Sequence, residues 1–194
     1  LIANEALSLS SSLEGSMMMA YSMNGQQMQP QASTSLYQQV SEKFIEGAMA
    51  GIALTSLSDD LKVAAAGVNS YTPIRTMAES ASSGMSEAEK QAAVEAISAK
   101  AVAKIQSTGI DSSKLAAALT KISEKAVEGV SKSGVSASAA REMVKKAAGG
   151  ATKGLSEMGV SATEVQNLVS AVASGATKGL SSFSSNDNTA ATDL

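Results

Sequence analysis

The sequence predicts an all-α protein, built as an antiparallel helical bundle or a short helical repeat array of roughly seven to eight helices. Three observations support this fold class. A short glycine-containing step recurs at a constant interval, as the positions of Gly84, Gly109, Gly134 and Gly159 show. Apolar residues between these steps follow helical spacing. Hydrophobic residues make up 44% of the 194-residue chain but only 3% is aromatic, and such small side chains favour closely packed helices.

Each recurring step combines a glycine, an apolar residue and a serine or aspartate. The steps are Gly84-Met85-Ser86, Gly109-Ile110-Asp111, Gly134-Val135-Ser136 and Gly159-Val160-Ser161. Glycine just after a helix adopts a positive φ without the penalty that a Cβ atom brings. Ser or Asp then accepts a hydrogen bond from the first turn of the next helix. Each step is therefore predicted to end one helix and to begin another.

Two of the steps carry the pattern of a capping box, in which an acid three residues after the cap binds back to it. The pairs are Ser86 with Glu89 and Ser161 with Glu164. Between steps, apolar residues three or four positions apart make one stripe per helix. We expect the repeats to run from about 76 to 183. The adjacent Gly149 and Gly150 cost about 2 kcal/mol of helix propensity and predict a break.

The first half of the chain repeats less clearly. Residues 4–24 are predicted to be helical, and residues 26–32 form a polar linker, so that 1–32 makes an N-terminal Met/Ser/Gln-rich region. A helical domain is expected from 33 to 183, its first helix capped by Ser33 or Ser35 and running to about Thr55. The polar segment 184–194 lacks an apolar pattern and is expected to be a disordered tail.

A divergent repeat is predicted to start near Ile52. There Ser58 takes the place of the capping serine, three residues out of the frame of the other repeats. A short helix is expected to follow Ser58 and to end near Gly67. The pair Thr72-Pro73 predicts the start of another helix, because proline is tolerated at a first helical position.

Composition excludes several kinds of chemistry. The chain has no Cys and no His, which removes thiol nucleophiles, Ser-His dyads and zinc sites built from these residues. A net charge of −3 argues against nucleic acid, which a basic face would bind. We predict no catalytic, cofactor-binding or metal-binding residue and no enzymatic activity. An enzyme that uses only Ser, Lys and acidic side chains stays an open alternative.

No apolar run approaches the roughly 18 residues of a transmembrane helix. Glycines four residues apart occur three times, and on a helix this spacing indicates close packing or local fraying in a soluble bundle. The pairs are Gly47 with Gly51, Gly150 with Gly154, and Gly175 with Gly179. Flexible methionines suit adaptable binding surfaces as well as cores. This makes Met17, Met18, Met19 and Met23 candidate interaction residues.

These features together predict a non-enzymatic structural or protein-interaction protein that works by self-assembly or partner binding. The chain begins at Leu1 instead of Met, which indicates a processed or recombinant form. This start, the repeats and the Ser/Ala/Met bias favour the structural or interaction role and export. We expect the protein to be exported, to the cell envelope or outside the cell. The alternative is an amphipathic helical protein that binds lipid or membrane surfaces.

Overall fold

The structure is a computed structural model that describes residues 31–79 and 85–184. These residues form six α-helices and contain no strand. The helices are α1 (Gln31–Ala53), α2 (Asp59–Glu79), α3 (Glu87–Ala103), α4 (Leu115–Ser131), α5 (Ala137–Glu157) and α6 (Ala162–Ser184). Two short 3₁₀ turns, Ile105–Thr108 and Ser112–Lys114, connect α3 to α4. The prediction of an all-α fold is confirmed. The helix predicted within residues 4–24 lies outside the described residues.

Helix α1 begins at Gln31, two residues before the earlier of its two predicted caps, Ser33 and Ser35. It ends at Ala53, close to the predicted end. Helices from Ser33 onward belong to one compact unit. Three apolar residues of α1, Ile45, Met49 and Ile52, belong to the same buried cluster as the cores of the later helices.

Helix α2 is one continuous helix of 21 residues, so the prediction of two helices divided between Gly67 and Thr72 is wrong. Gly67 does not end the helix because α4 covers it. A Cβ atom there would lie 2.8 Å from Cγ of Lys121. Pro73 removes one helical hydrogen bond, but it lies on a buried face with Ile74 and Met77. Burial of that face stabilises the helix on both sides of the proline.

Helix α5 also runs without interruption through Gly149 and Gly150, so the predicted break is wrong. Its buried face contains Ala147, Ala151 and Leu155 around the glycines. The packing of this face offsets the low helix propensity of the glycine pair, which costs about 2 kcal/mol. Glycine at position 150 is also what permits the close packing on α3 that is described below.

The most extensive helix contacts join helices that are next but one in the chain. The pairs are α3 with α5, α4 with α6, and α2 with α4. Consecutive helices contact each other less. Within a pair the two helices run in the same direction, because Gly150 lies against Glu95 and Gly154 lies against Ala99 further along both helices. Fully buried side chains such as Ile97, Leu119 and Met143 fill the space between the helices.

Candidate functional site

The recurring glycines lie at helix ends. Gly109, Gly134 and Gly159 have φ values of +66°, +71° and +67°, and they are the positive-φ residues of the described chain. The left-handed conformation turns the backbone just after the 3₁₀ extension of α3, after α4 and after α5. The fourth predicted glycine of this kind, Gly84, lies outside the described residues.

The predicted capping residues bind the starts of the following helices. At α3, the Ser86 amide donates to Oε2 of Glu89 at 2.6 Å, and the Glu89 amide donates to Oγ of Ser86 at 3.3 Å. The same reciprocal pair joins Ser161 and Glu164 before α6, at 3.0 and 3.4 Å. The serine hydrogen bonds lower the pKa of the Glu164 carboxyl group, because they stabilise its charged form.

The two other caps are simpler. Oδ1 of Asp111 accepts from the Ser113 amide at 2.8 Å and starts a 3₁₀ turn before α4. Hydrogen bonds from Ser113 lower the pKa of Asp111. Oγ of Ser136 accepts from the Ala139 amide at 3.3 Å. These side chains are committed to helix ends, so the joints hold the fold and offer no reactive group.

Two glycine pairs allow very close helix contacts in the described part of the chain. Gly150 and Gly154 of α5 face the backbone oxygens of Glu95 and Ala99 in α3. A Cβ atom on either glycine would approach that oxygen closer than the 3.0 Å that real Cβ atoms keep. The spacing of Gly150 and Gly154 therefore allows close packing of α5 on α3 and does not cause local fraying.

The same contact recurs one repeat further along both helices. Gly175 and Gly179 of α6 face the backbone oxygens of Thr120 and Glu124 in α4, again closer than 3.0 Å for an added Cβ atom. The interval between a glycine and its partner oxygen is the same in both contacts, from Glu95 to Gly150 and from Thr120 to Gly175.

The contact between α2 and α4 has the same arrangement, except that one of the two glycines lies on the opposite helix. Gly129 of α4 lies against the backbone oxygen of Tyr71, at 2.9 Å from an added Cβ atom. At the position of the other glycine α4 carries Lys125, and here α2 supplies the small residue, Gly67. The Lys125 stem covers Gly67, and its ammonium lies 6.0 Å from the centre of the Tyr71 ring.

The third predicted glycine pair faces no neighbour among the described residues. Nothing lies within 4 Å of the Cβ positions of Gly47 and Gly51, and both residues are exposed in α1. Ala50 lies on the same face of α1 and is exposed, and Leu54, the first residue after the end of α1, is exposed as well. Leu54 is 90% exposed, more than any other large apolar residue of the described chain. We call Gly47, Ala50, Gly51 and Leu54 the α1 glycine face.

A second uncovered face lies on α6, the last described helix. Ser170, Ser174 and Thr177 are exposed and follow one another at helical spacing. We call these three residues the α6 outer face. On α3 and α4 the equivalent faces are covered by α5 and α6. The equivalent positions are Glu95, Ala99 and Val102 on α3, and Thr120, Glu124 and Val127 on α4.

Three ion pairs tie separate helices or joints together. They join Lys100 to Glu46 at 2.7 Å, Lys114 to Asp60 at 2.8 Å, and Lys146 to Glu95 at 2.8 Å. The Lys100 ammonium and then Lys43 lower the pKa of the Glu46 carboxyl group from 4.5 to about 2. Asp59 accepts a hydrogen bond from the Asp111 amide at 3.4 Å. Asp59 and Asp60 therefore anchor the start of α2 to the joint before α4.

One open cleft, of about 620 Å³, lies beside the joint between α4 and α5. Glu79, Glu87 and Glu142 line it, and each of these acids has a basic partner in its own helix, at 2.6, 3.1 and 2.6 Å. Lys90, the partner of Glu87, is buried. Among the residues that the structure describes, the cleft therefore presents ion pairs formed within single helices and no unpaired acid for proton transfer.

Residues 31–79 and 85–184 contain no group of three or more potential ligands that could hold a metal ion. Over the same ranges, every helix is too short or too polar to cross a membrane. The candidate interaction residues Met17, Met18, Met19 and Met23 lie outside the described residues, so they remain a prediction.

Sequence reasoning identified the glycine pairs but assigned no partners to them. It also interpreted Gly67 as a helix end. The sequence signal for this contact is the position of Ser58, three residues out of the frame of the other repeats. Counted from Ser58, Tyr71 occupies the same position as Ala99 and Glu124 do in their helices, and it contacts Gly129.

No protein-family model matches the chain, and no curated protein or solved structure matches it significantly.

Proposed function

We propose that the protein is a non-enzymatic structural or protein-interaction protein, which acts by helix-mediated self-association or partner binding. The observation that carries the proposal is the pair of uncovered surfaces, the α1 glycine face and the α6 outer face. Exposed glycines in a helix cost stability, and no described residue lies within 4 Å of the Cβ positions of Gly47 and Gly51. Equivalent glycines on α5 and α6 permit close helix contacts, so a binding partner would give the exposed pair the same role.

The proposed architecture is a short helical repeat array of about 25-residue helix–Gly–turn units. The contacts between α3 and α5 recur between α4 and α6 at a shift of one unit. Arrays of this kind join each unit to its neighbours and leave terminal faces open. The α1 glycine face and the α6 outer face correspond to such terminal faces.

The absence of enzymatic activity is part of the same proposal. The capping acids Glu89, Asp111 and Glu164 bind helix ends, and the acids of the cleft pair with lysine or arginine. The proposed location is the cell envelope or the outside of the cell, which the Ala/Ser-rich repeats favour. Fractionation of the source cells with an antibody against the protein tests this location.

Light scattering across a wide range of protein concentration, together with a pull-down, tests the proposed function. We expect the average mass to rise with concentration, or a partner to be retained on the immobilised protein. A monodisperse monomer at high concentration that retains no partner would argue strongly against the proposal.

Binding to a membrane surface is a second candidate function, supported by a set of exposed apolar residues. Leu54, Leu57, Leu61 and Val68 are 40–90% exposed at the joint between α1 and α2 and along α2. Such side chains can insert at a lipid interface. Flotation with neutral and anionic vesicles tests this function. Co-migration that is lost in Leu54→Ser would support it, and no co-migration with either vesicle type would exclude it.

A further inference from the structure

The contacts between next-but-one helices follow a fixed frame when residues are counted from the cap of each helix. In each contact one helix, which we call the receiving helix, presents two small residues to two backbone oxygens of the other helix. The small residues lie 14 and 18 positions after the cap of the receiving helix, as Gly150 and Gly154 do after Ser136. The backbone oxygens lie 9 and 13 positions after the cap of the other helix, as those of Glu95 and Ala99 do after Ser86.

The contact between α4 and α6 obeys the same frame. Gly175 and Gly179 lie 14 and 18 positions after Ser161, and Thr120 and Glu124 lie 9 and 13 positions after Asp111. In α2 the cap position is Ser58, and Tyr71, 13 positions later, contacts Gly129 of α4. The frame thus describes three helix interfaces of the structure.

The α1 glycine face fits the receiving half of this frame. Ser33 lies inside the first turn of α1 and is not its cap, but it precedes Ser58 by one repeat, the interval that separates Ser86 from Asp111. Gly47 and Gly51 follow Ser33 by 14 and 18 positions. The local sequence Gly-Ala-x-x-Gly is shared with Gly150–Gly154 and Gly175–Gly179. Unlike those two pairs, Gly47 and Gly51 have nothing within 4 Å of their Cβ positions. The receiving half is therefore formed and unoccupied among the described residues.

The α6 outer face fits the other half. Ser170 and Ser174 lie 9 and 13 positions after Ser161, where the oxygens contacted on α3 and α4 are found. Both residues are exposed, and their side chains are small enough to let another backbone approach. The described residues thus carry both halves of one interface, on α1 and α6. Lys145 and Gly149 of α5 lie at the same positions after Ser136 and are exposed as well, but there Lys145 forms an ion pair with Glu142.

We propose that α6 of one copy of this chain packs on α1 of a second copy, with the α6 outer face against the α1 glycine face. The contact uses the same two kinds of surface as α2 with α4, α3 with α5, and α4 with α6. It is heterologous, since the two surfaces differ, and such contacts generate rings or open chains of subunits. The inference rests on the proposed function and specifies its partner and its surfaces.

Two exposed apolar side chains nearby support a second copy as the occupant. Leu54 is 90% exposed and follows Gly51 by three residues, in the turn just after α1. Leu180 is 45% exposed and lies three residues after Thr177 in the last turns of α6. In the frame, the turn after Gly51 meets the turn after Thr177. Association would therefore bring Leu54 and Leu180 together and remove both from water.

Substitution of the receiving glycines tests the interface directly. In Gly47→Ala/Gly51→Ala, added methyl groups block the close approach, so we expect self-association by sedimentation velocity to weaken about tenfold or more. The thermal midpoint of the monomer should stay the same or rise, because alanine favours an exposed helix. Gly149→Ala is the matched control, since Gly149 is an exposed helical glycine with nothing within 4 Å. It lies at the frame position where α3 and α4 carry Ala99 and Glu124, so a methyl group there blocks no contact of this kind.

Cross-linking tests the identity of the two surfaces. The chain contains no cysteine, so Leu54→Cys and Leu180→Cys each introduce a unique thiol. With a short bis-maleimide, a mixture of the two variants should give a mixed dimer in excess of either homodimer. The double variant Leu54→Cys/Leu180→Cys should give a ladder of oligomers. If the only cross-linked product is a dimer joined through position 54 of both copies, the proposed contact between α6 and α1 is wrong.

The remaining outcomes separate this inference from the proposed function. If the wild-type chain associates but Gly47→Ala/Gly51→Ala associates equally well, the inference is wrong and the proposed function stands. If the glycine face binds a different protein in a pull-down, the inference is again wrong and the proposed function stands. If that face mediates flotation with vesicles, the inference is wrong and the result favours the membrane-binding function. If the wild-type chain is a monomer at every concentration, the inference is wrong, and the proposed function then depends on the capture of a partner.

Discussion

Gly150 of α5 lies so close to the backbone oxygen of Glu95 in α3 that a Cβ atom would overlap it. Its neighbour Gly149 is exposed and has nothing within 4 Å of its Cβ position. Two adjacent residues of the same type thus have opposite surroundings. One is required by the packing of two helices, and the other only lowers the stability of its own helix.

This contrast predicts opposite effects of the same substitution. Gly150→Ala should destabilise the protein by about 1–3 kcal/mol, because α3 and α5 must separate to admit the methyl group. Gly149→Ala should stabilise it by about 0.5–1 kcal/mol, because alanine is the better helix former. Urea unfolding followed by circular dichroism measures both variants. Equal effects at the two positions would contradict the close contact between α3 and α5.

Two substitutions in the joint before α6 should each lower the free energy of unfolding. Ser161→Ala removes the hydroxyl that accepts from the Glu164 amide and should cost about 0.5–2 kcal/mol. Gly159→Ala puts a Cβ atom on a residue with φ of +67° and should cost about 1–2 kcal/mol. Thermal unfolding of each variant measures the loss, with Ala162→Gly as a control for general changes at the helix start. A neutral Gly159→Ala would contradict the left-handed turn.

The ion pairs of Glu46 should make the free energy of unfolding fall as the pH is lowered. Its pKa falls from 4.5 to about 2 through the hydrogen bonds of Lys100 and Lys43. The ionised carboxylate therefore stabilises the folded state above pH 4.5, and this contribution is lost as the pH falls from 4.5 towards about 2. Glu46→Gln should be less stable than the wild type at neutral pH and should lose less stability over that range.

Two lysine variants serve as matched comparisons for this acid dependence. Lys100 has the larger effect on the pKa of Glu46, and Lys43 the smaller. Lys100→Gln should therefore flatten the curve of unfolding free energy against pH more than Lys43→Gln does. The measurement is urea unfolding at pH values from acid to neutral in constant salt. The reverse order of the two variants would show that the interhelix ion pair is not the main partner of Glu46.

Removing the hydroxyl group should have different effects on stability at two buried serines. Oγ of Ser123 is buried without a hydrogen-bond partner among the described residues, whereas Oγ of Ser70 donates to the Ala66 carbonyl at 3.0 Å. Ser123→Ala should be neutral or stabilising by about 1 kcal/mol, because it removes an unsatisfied polar group. Ser70→Ala should lose about 0.5–1.5 kcal/mol with its hydrogen bond. Differential scanning calorimetry distinguishes the two, and a loss at Ser123 as large as at Ser70 would contradict the assignment.

The helix joints could be derived from local sequence, since the conformation of Gly109, Gly134 and Gly159 depends on the residues beside them. The role of Gly67 could not be derived in that way. A helical glycine ends a helix or admits a neighbour according to what lies against it, and Lys121 belongs to a different helix, α4. Pro73 was misinterpreted for the same reason, because the burial of its helix face comes from tertiary packing.

The partners of the apolar stripes were also beyond the sequence. A stripe indicates that a helix is covered, but it does not indicate which helix covers it. The constant repeat frame contains that information in part, because Gly150 and Gly175 must face equivalent residues. The open faces of α1 and α6 became visible only when the covered faces of α3 and α4 were known.

The pairing of helices that are next but one in the chain has a consequence for how the protein unfolds. Its main contacts join segments two helices apart, as Glu95 and Gly150 are, so each interface depends on a limited stretch of the chain. In the repeat array that we propose, a terminal helix has neighbours on one side only and can detach before the others. Unfolding under a pulling force should therefore proceed from the ends, in steps of about one repeat, and the intermediate helices should hold until their own neighbours have been removed.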